Sequence, residues 1–533
     1  MTKNYKILND CRGMYEQDIF DTIIAQRHID NPERFFHPTE DDLLPLDSLK
    51  NIDKAFLRVE KALQNDENIA ILADTDTDGI TSGAIITRYL KNFTNNVVTF
   101  IDEGKQHGLI EQDLKKFLSF DLLIIVDSLD KNTSQYEKLK QSGVDIIILD
   151  HHAINPKISY DDVSILVSSQ RDYDNSQLSG AGVTWKFCKY FDAIYGTTYA
   201  DELVDLAACG VIADMMDMTV MENRYIVSKG LECIYNLALK KIVGGFEFNS
   251  TAISFSVAPI INASNRMNQN DIAMKAFLED DNKQVLAYIK QLKKCKEDQN
   301  KEVSKLLPGI IEQCENQINK KMIVTHIDTP YGVSGLLGNK LLEKYQRPIL
   351  VIKDTGDEFS GSMRAIGLDD FRSVCNDSHL ASAEGHELAS GITIEKSNLN
   401  KFSDYIESTL PPLKKDTVEE IDIQIDISDM TRSLVSLIKK IDRISGTNFK
   451  PVKVFIDGIE DYTIGQMSDY KHLVVKPTDY IYLIKWNFDG DFEEMEDHAL
   501  MNDEIEVIGN LDSGFFGRKF VLKTICDEIK VIA

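Results

Sequence analysis

The chain has 533 residues, 43% of them hydrophobic and 27% charged, and a formal net charge of −27. That is too much chain for one ordinary core, and about two to four domains are expected. No apolar stretch is long enough to cross a bilayer, and the start, Met1-Thr-Lys-Asn-Tyr-Lys6, lacks a signal-peptide core, so a cytoplasmic location is expected. The acidic balance argues against a general nucleic-acid coat, but leaves room for metal sites and for a local basic groove on an acidic body. The eight cysteines, at 11, 188, 209, 233, 295, 314, 375 and 526, never take CxxC spacing; they read as small reduced core residues rather than a zinc ribbon.

The stretch to about Asn65 has short helical patterns, with Phe56, Val59 and Leu63 on one face. The apolar run Ile69–Ala73 then stops at Asp74-Thr-Asp76-Thr-Asp78-Gly79, and a helix is expected over Ile80–Phe93. A short helix, Asp113–Phe117, precedes the run Leu122–Val126, which stops at Asp127. Tyr136–Ser142 separates it from Asp145–Leu149, which stops at Asp150-His151-His152. Short β-branched runs alternating with helices predict a doubly wound parallel sheet, an α/β fold whose ligands gather at the carboxyl ends of the strands. Gly180-Ala-Gly182 opens a helix over Val183–Tyr195, and another, Ala200–Cys209, leads into Gly210-Val-Ile-Ala-Asp214.

From Asp280 to about Asn319 the text is polar, with Val285, Ile289, Leu292, Val303, Leu306 and Ile310 at helical spacing. This predicts a long helix that Pro308 and Gly309 kink or split. Met322–Thr325 and Ile349–Ile352 read as strands flanking a helix, Val333–Tyr345, in a second α/β lobe that runs to about Leu410. Pro411-Pro412 marks a linker. Short strand-like runs follow at Ile421–Ile425, Lys453–Ile456, His472–Val475, Tyr480–Lys485, Glu504–Gly509 and Lys519–Lys523, which suits a small β-barrel. The expected division is a helical lead-in over 1–65, a catalytic domain over 66–279, a linker helix over 280–320, a second lobe over 321–410 and a β domain over 416–533.

Strand-end placement would gather about five carboxylates and two imidazoles on one rim, a repulsive arrangement unless cations sit among them. Oxygen donors suit Mg²⁺ or Mn²⁺, and the histidines favour Mn²⁺. A pair of ions roughly 3.5–4 Å apart activates water for in-line phosphoryl displacement.

DTDTDG, the strand ending in VD, the DHH triplet and GVIAD resemble, in order, the four metal motifs of the DHH phosphoesterases. Ala258-Pro-Ile-Ile-Asn262-Ala-Ser-Asn-Arg266-Met resembles the APRLNAAGRM segment of RecJ-type exonucleases. Gly361-Ser362-Met-Arg364 and Glu384-Gly385-His386…Ala389-Ser-Gly391 resemble motifs of the DHH-associated domain, and Asn31-Pro-Glu-Arg-Phe-Phe-His-Pro resembles the family's lead-in. The resemblance covers nearly the whole chain and implies an OB-like fold for the β-rich C-terminal part.

By this resemblance Asp74 and Asp76 each hold one of two ions, Asp127 bridges them and is catalytic, and His151 and Asp214 complete the ligands of the second ion. His152 contacts the scissile phosphate or protonates the leaving oxygen; Asp78 and Asp150 are ligands or orient them. Asn262 and Arg266 face phosphate, as do Ser362, Arg364 and His386, which in the family help select a 5′-terminal phosphate. Four positions depart from the pattern: Asp102 and Ile260 stand where the family has arginine, Glu384 where it has glycine and Ala365 where it has serine. Near Asp102 only Lys105 keeps a positive charge.

The implied activity is metal-dependent 5′→3′ hydrolysis of single-stranded DNA to mononucleotides in recombination and repair. The protein would act as a monomer alongside a helicase and the single-strand-binding protein. A phosphodiesterase of oligonucleotides or cyclic dinucleotides, and a non-catalytic replication or repair scaffold, are the alternatives. Tyr480, Tyr482, Trp486 and Phe488 alternate in one run and could stack bases or pack within the β domain.

Overall fold

The structure, a computed structural model, describes residues 4–102, 109, 114–130, 132–412, 418–467 and 471–532. The chain divides into two compact units: the residues to Ala258 together with those from Val418 on, and the residues from Pro259 to Thr417.

In the first unit, β1 (Asn4–Ile7) precedes β2 (Ile69–Ala73), β3 (Val97–Ile101), β4 (Leu122–Val126), β5 (Asp145–Asp150) and β6 (Ile165–Ser168). β2–β6 form one parallel sheet in the order β3-β2-β4-β5-β6. All five residues of β2 and of β4 are buried, as strands covered on both faces must be. Ala70 and Leu72 of β2 pack with Leu123 and Ile125 of β4 and with Phe117, Tyr136 and Leu139 of the connecting helices on one face. Period-two alternation turns the intervening residues to the other face. The doubly wound sheet is as expected, and its order reverses between β2 and β4, where such folds bind ligands.

Helix Gly180–Tyr195 buries Lys186 completely. The Lys186 ammonium donates to Leu44 O, Tyr173 OH and Glu222 Oε1 at 2.8, 2.5 and 2.6 Å, and Asn175 Nδ2 donates to Glu222 Oε2 at 2.9 Å. The ion pair is therefore fully hydrogen-bonded, the condition under which a buried charge is tolerated.

In the second unit, β7 (Ile323–His326), β8 (Ile349–Asp354), β9 (Glu358–Arg364), β10 (Ala381–His386) and β11 (Ala389–Glu395) form a sheet in the order β10-β11-β9-β8-β7. The long helix is there, Asn282–Glu315, but it is not split at Pro308. Val303 and Ile310, one on each side of the proline, both enter the core that holds Leu337, Leu341 and Val351. Burial on both sides keeps the helix together across a residue that costs about 3 kcal/mol in a helix interior.

The β-rich C-terminal region returns to the first unit. Its strands are β12 (Val418–Ile421), β13 (Ile423–Asp426), β14 (Val454–Ile459), β15 (Thr463–Met467), β16 (His472–Thr478), β17 (Ile481–Lys485), β18 (Glu504–Phe516) and β19 (Lys519–Ile532). β12 pairs with β1, parallel, and the other seven form a mixed sheet in the order β13-β14-β18-β19-β17-β16-β15. The single run expected at Ile421–Ile425 is two strands, and two helices, Arg432–Asp442 and Phe492–Met501, stand where only strands and turns were expected. Among the described residues, no helix is long and apolar enough to cross a membrane.

Candidate active site

Register brings the acidic strand ends together. Ala73 pairs with Val126, and Val126 with Leu149, so Asp74, Asp127 and Asp150 each take the next position on neighbouring strands. Asp127 bends away there in the left-handed region (φ 55°), its N–H still donating to Leu149 O at 3.0 Å. Asp76 caps helix Thr77–Leu90, its Oδ1 accepting from Gly79 N–H at 3.0 Å. Asp214 caps the end of helix Val204–Ala213.

His151 lies at the centre of this group. Its Nε2 is 3.2 Å from Asp127 Oδ1, 3.3 Å from Asp214 Oδ2 and 3.8 Å from Asp78 Oδ2. Three sets of donor atoms lie within 4.8 Å of one another: Asp74, Asp76 and Asp127; Asp78, His151 and Asp214; Asp127, His151 and His152. Asp127 belongs to two of them. All the residues read from the sequence as metal ligands thus come together, Asp78 with them.

Asp78 also has a second engagement. Its Oδ2 accepts from Gly180 N–H at 2.7 Å and its Oδ1 from Ala181 N–H at 3.0 Å, so it caps the start of helix Gly180–Tyr195. Asp150, fully buried, holds His152: its Oδ1 is 2.8 Å from His152 Nδ1 and its Oδ2 accepts from His152 N–H at 2.8 Å.

The electrostatics are those of carboxylates crowded out of water. Burial, then the charges of Asp74 and Asp214, pushes Asp76 up to about 7. Burial and Asp78 push Asp214 up to about 7, and burial with Asp78, Asp76 and Asp214 raises Asp127 well above the carboxylate range. Burial and His152 lower His151, leaving it a neutral donor. Burial also pulls on His152, but the charge and hydrogen bond of Asp150 outweigh it and lift the imidazole to about 10.

The donor set fits divalent cations. Asp127 Oδ1 and Asp214 Oδ2 are buried without a hydrogen-bond donor. Glycines keep the walls close. A Cβ on Gly180 would stand 2.5 Å from Asp127 Oδ1, on Gly210 2.1 Å from Asp78 Oδ1, and on Gly79 2.6 Å from Asp74 C and O. Gly180 and Gly210 were visible in the sequence only as parts of GAG and GVIAD; their function as walls of the acidic site appears only in three dimensions.

The phosphate-facing candidates all lie in the second unit. Arg364 of β9 pairs with Ala389 of β11, and Ala389 with His386 of β10; Ser362 likewise aligns with Gly391 and Glu384. Residues in register and two apart share a sheet face, so Ser362, Arg364, His386 and Glu384 do too. Arg364 donates to Asn339 Oδ1 at 2.7 Å, and Ser362 Oγ is 2.8 Å from Ser334 Oγ. Asn262 and Arg266 lie on helix Ala258–Arg266, where Arg266 O accepts from Gly332 N–H at 2.9 Å. Burial and then the charge of Arg266 lower Arg364, and burial with Arg266 and Lys340 lowers Lys296. Lys296 of helix Asn282–Glu315 and Lys340 of helix Ser334–Tyr345 thus share the field of the arginines, and nothing in the sequence marked them out.

Of the positions that depart from the family pattern, Asp102 is buried, its N–H donating to Ala73 O at 3.0 Å beside the first acidic turn. Ile260 is partly exposed and Glu384 exposed. Lys105 lies outside the described residues.

Residues 68–211 match the DHH family, N-terminal domain. A protein of Bacillus subtilis whose name describes it as an SPbeta prophage-derived single-strand DNA-specific exonuclease is 27% identical over 474 residues, 81% of each chain. The single-stranded-DNA-specific exonuclease RecJ of the same organism is 30% identical over 465 residues; the match takes in 81% of this chain but 57% of that longer protein. RecJ from Thermus thermophilus in complex with Mn²⁺ superposes with a TM-score of 0.77 at 21% identity, over 99% of this chain and 79% of that one. With four metal motifs in order and their side chains converging, the chain is a RecJ-like member of the DHH phosphoesterase superfamily.

Proposed function

We propose that this protein is a metal-dependent exonuclease that hydrolyses single-stranded DNA from the 5′ end to mononucleotides. The observation that carries the reading is the approach of Asp127 and Asp214 oxygens to His151 Nε2, at 3.2 and 3.3 Å, beside a second carboxylate set that shares Asp127. Two divalent ions bound there, Mn²⁺ or Mg²⁺, would supply an activated water and neutralise charge developing on the phosphoryl oxygens.

The chain's own groups do the rest. Asp74 and Asp76 would each hold one ion, His151 and Asp214 would complete the ligands of the second, and Asp127 would serve both. His152, kept protonated by Asp150, hydrogen-bonds the scissile phosphate and gives its proton to the leaving oxygen. Asp78 fixes the wall opposite. In the second unit Asn262, Arg266, Ser362, Arg364 and His386 take phosphates of the strand. Residues 66–279 serve as the catalytic domain, 321–410 as the DHH-associated domain and 416–533 as an OB-like domain. The protein acts as a cytoplasmic monomer in recombination or repair, with a helicase and single-strand-binding protein as partners.

The test is digestion of end-labelled single and double strands with Mn²⁺, with and without a 5′ phosphate. Mononucleotides released from the 5′ end of single strands alone are expected. Cleavage confined to dinucleotides, or none with any metal, would overturn the reading.

A further inference from the structure

The sheet of the second unit has one apolar face and one polar face. Met363 of β9, Ile392 and Ile394 of β11 and Ala383 of β10 turn into the core that holds Phe371 and Phe402. Period-two alternation sends their neighbours to the other side. There the register lines up Ser362, Gly391 and Glu384 in one row across the three strands, and Arg364, Ala389 and His386 in the next. The middle strand contributes only a glycine and an alanine to these rows, so a trough runs along β11. A Cβ on Gly391 would meet nothing closer than Glu384 O at 3.7 Å. The walls are β9 and β10, two strand spacings or roughly 9.5 Å apart.

The two walls differ in chemistry. On β9 the side chains are held in place. Arg364 Nε donates to Asn339 Oδ1 and its Nη1 to Met363 O, each at 2.7 Å, and Ser362 Oγ lies 2.8 Å from Ser334 Oγ. Gly335 makes room for the guanidinium, since a Cβ there would stand 2.6 Å from Arg364 Nη2. This wall is cationic. On β10, Glu384 and His386 are exposed. Arg372, next to that strand, donates to Gly385 O at 2.5 Å and pairs with Asp370 and Glu387 at 3.5 Å. Glu384 thus sets a negative charge on one side of the trough, across from the Ser362 hydroxyl and one row from Arg364.

A carboxylate accepts hydrogen bonds and donates none. Beside a bound strand it favours an O–H group and opposes a phosphate. A nucleotide lying across the trough sets its phosphodiester on Arg364 and leaves the far end of its sugar on the Glu384 side. A terminal phosphate at that end carries a charge of about −1.5 to −2, whereas a hydroxyl is neutral.

We propose that Glu384 makes the second unit selective for strands that end in a 5′ hydroxyl: its carboxylate accepts from that hydroxyl and repels a 5′ phosphate. The proposal rests on the nuclease reading above, and names the strand end that this unit admits.

The test is single-turnover hydrolysis, with Mn²⁺, of a 3′-fluorescein-labelled oligothymidylate bearing either a 5′ hydroxyl or a 5′ phosphate, by the wild type and by Glu384→Gln. The wild type should cut the hydroxyl-ended strand about 10-fold faster, the effect of a like charge roughly 6 Å away in a watery groove. That ratio should shrink as NaCl rises from about 0.05 to about 0.5 M. In Glu384→Gln it should fall to about one, through faster cutting of the phosphate-ended strand, because the amide keeps an acceptor but loses the charge. The ratio stays readable even where the variant loses activity on both strands. A wild type that prefers the phosphate-ended strand or ignores the end, or a ratio that the substitution leaves unchanged, would overturn the proposal with the nuclease reading intact. A preference for oligouridylate over oligothymidylate of the same end group, abolished by Glu384→Gln, would transfer Glu384 to the ribose 2′ hydroxyl and overturn the terminal assignment. A wild type that cuts neither strand would overturn both readings.

Discussion

The N–H of Gly180 donates to Asp78 Oδ2 at 2.7 Å, so a carboxylate of the first acidic turn holds the start of a helix 102 residues further on. Both Asp78 oxygens accept from that helix, and an asparagine has one acceptor to offer. Asp78→Asn should therefore cost about 1–3 kcal/mol in urea unfolding, and weaken Mn²⁺ affinity by about 10–100-fold in a calorimetric titration.

A methyl group added to Gly210 would meet Asp78 Oδ1 at 2.1 Å and Ala181 Cβ at 2.4 Å. Gly210→Ala should lose about 1–3 kcal/mol and much of the metal affinity, because the wall must move. Gly245→Ala, where nothing lies within 4 Å, serves as the control and should change stability by less than about 0.5 kcal/mol.

Asp127 belongs to two sets of donor atoms, so its loss should affect both. Asp127→Asn, nearly isosteric, is expected to lower Mn²⁺-dependent hydrolysis of a labelled single strand by at least ~100-fold. Two equivalents of bound Mn²⁺ in the wild type should fall to one or none in the variant, read by equilibrium dialysis.

Asp76 and Asp214, each raised to about 7, bind protons more tightly folded than unfolded, where a carboxyl titrates near ~3.9. Their contribution to stability is complete below that value and is lost as pH rises through 7. His152, raised to about 10, works in the same direction but is lost only at higher pH. The melting temperature in EDTA should fall between pH 5.5 and 8, and Mn²⁺ should restore more of it at pH 8, releasing protons as it binds. A flat profile in EDTA would contradict the crowding of these carboxyls.

The Lys186–Glu222 pair predicts a purely structural phenotype. Glu222→Gln leaves a buried ammonium without its counter-charge and should cost about 3–5 kcal/mol in unfolding free energy. The double variant Lys186→Met/Glu222→Gln should recover part of that loss.

The metal rim was legible because each of its strands is an uninterrupted apolar run with a charge at the end, and β2, β4 and β5 are buried on both faces. β3, Val97–Ile101, is half-buried, and its pattern carried no such signal. Helix Arg432–Asp442 has a strong apolar face in Leu434, Val435, Ile438 and Ile441, yet the surrounding strand-like runs hid it. Pro308 misled in the other direction: a local breaker was outvoted by burial on both sides. For the site, ligand types and order were readable, but the capping by Asp78 and the gathering of Lys296 and Lys340 depend on contacts between segments far apart in sequence.

Asn4 of β1 pairs with Val418 of β12, and Ile7 with Ile421. During synthesis β1 therefore waits for all the chain between Ile7 and Val418 before its partner exists. This pairing closes the first unit across a long sequence separation, and disrupting β1 should slow the final folding step more than it disturbs the acidic centre.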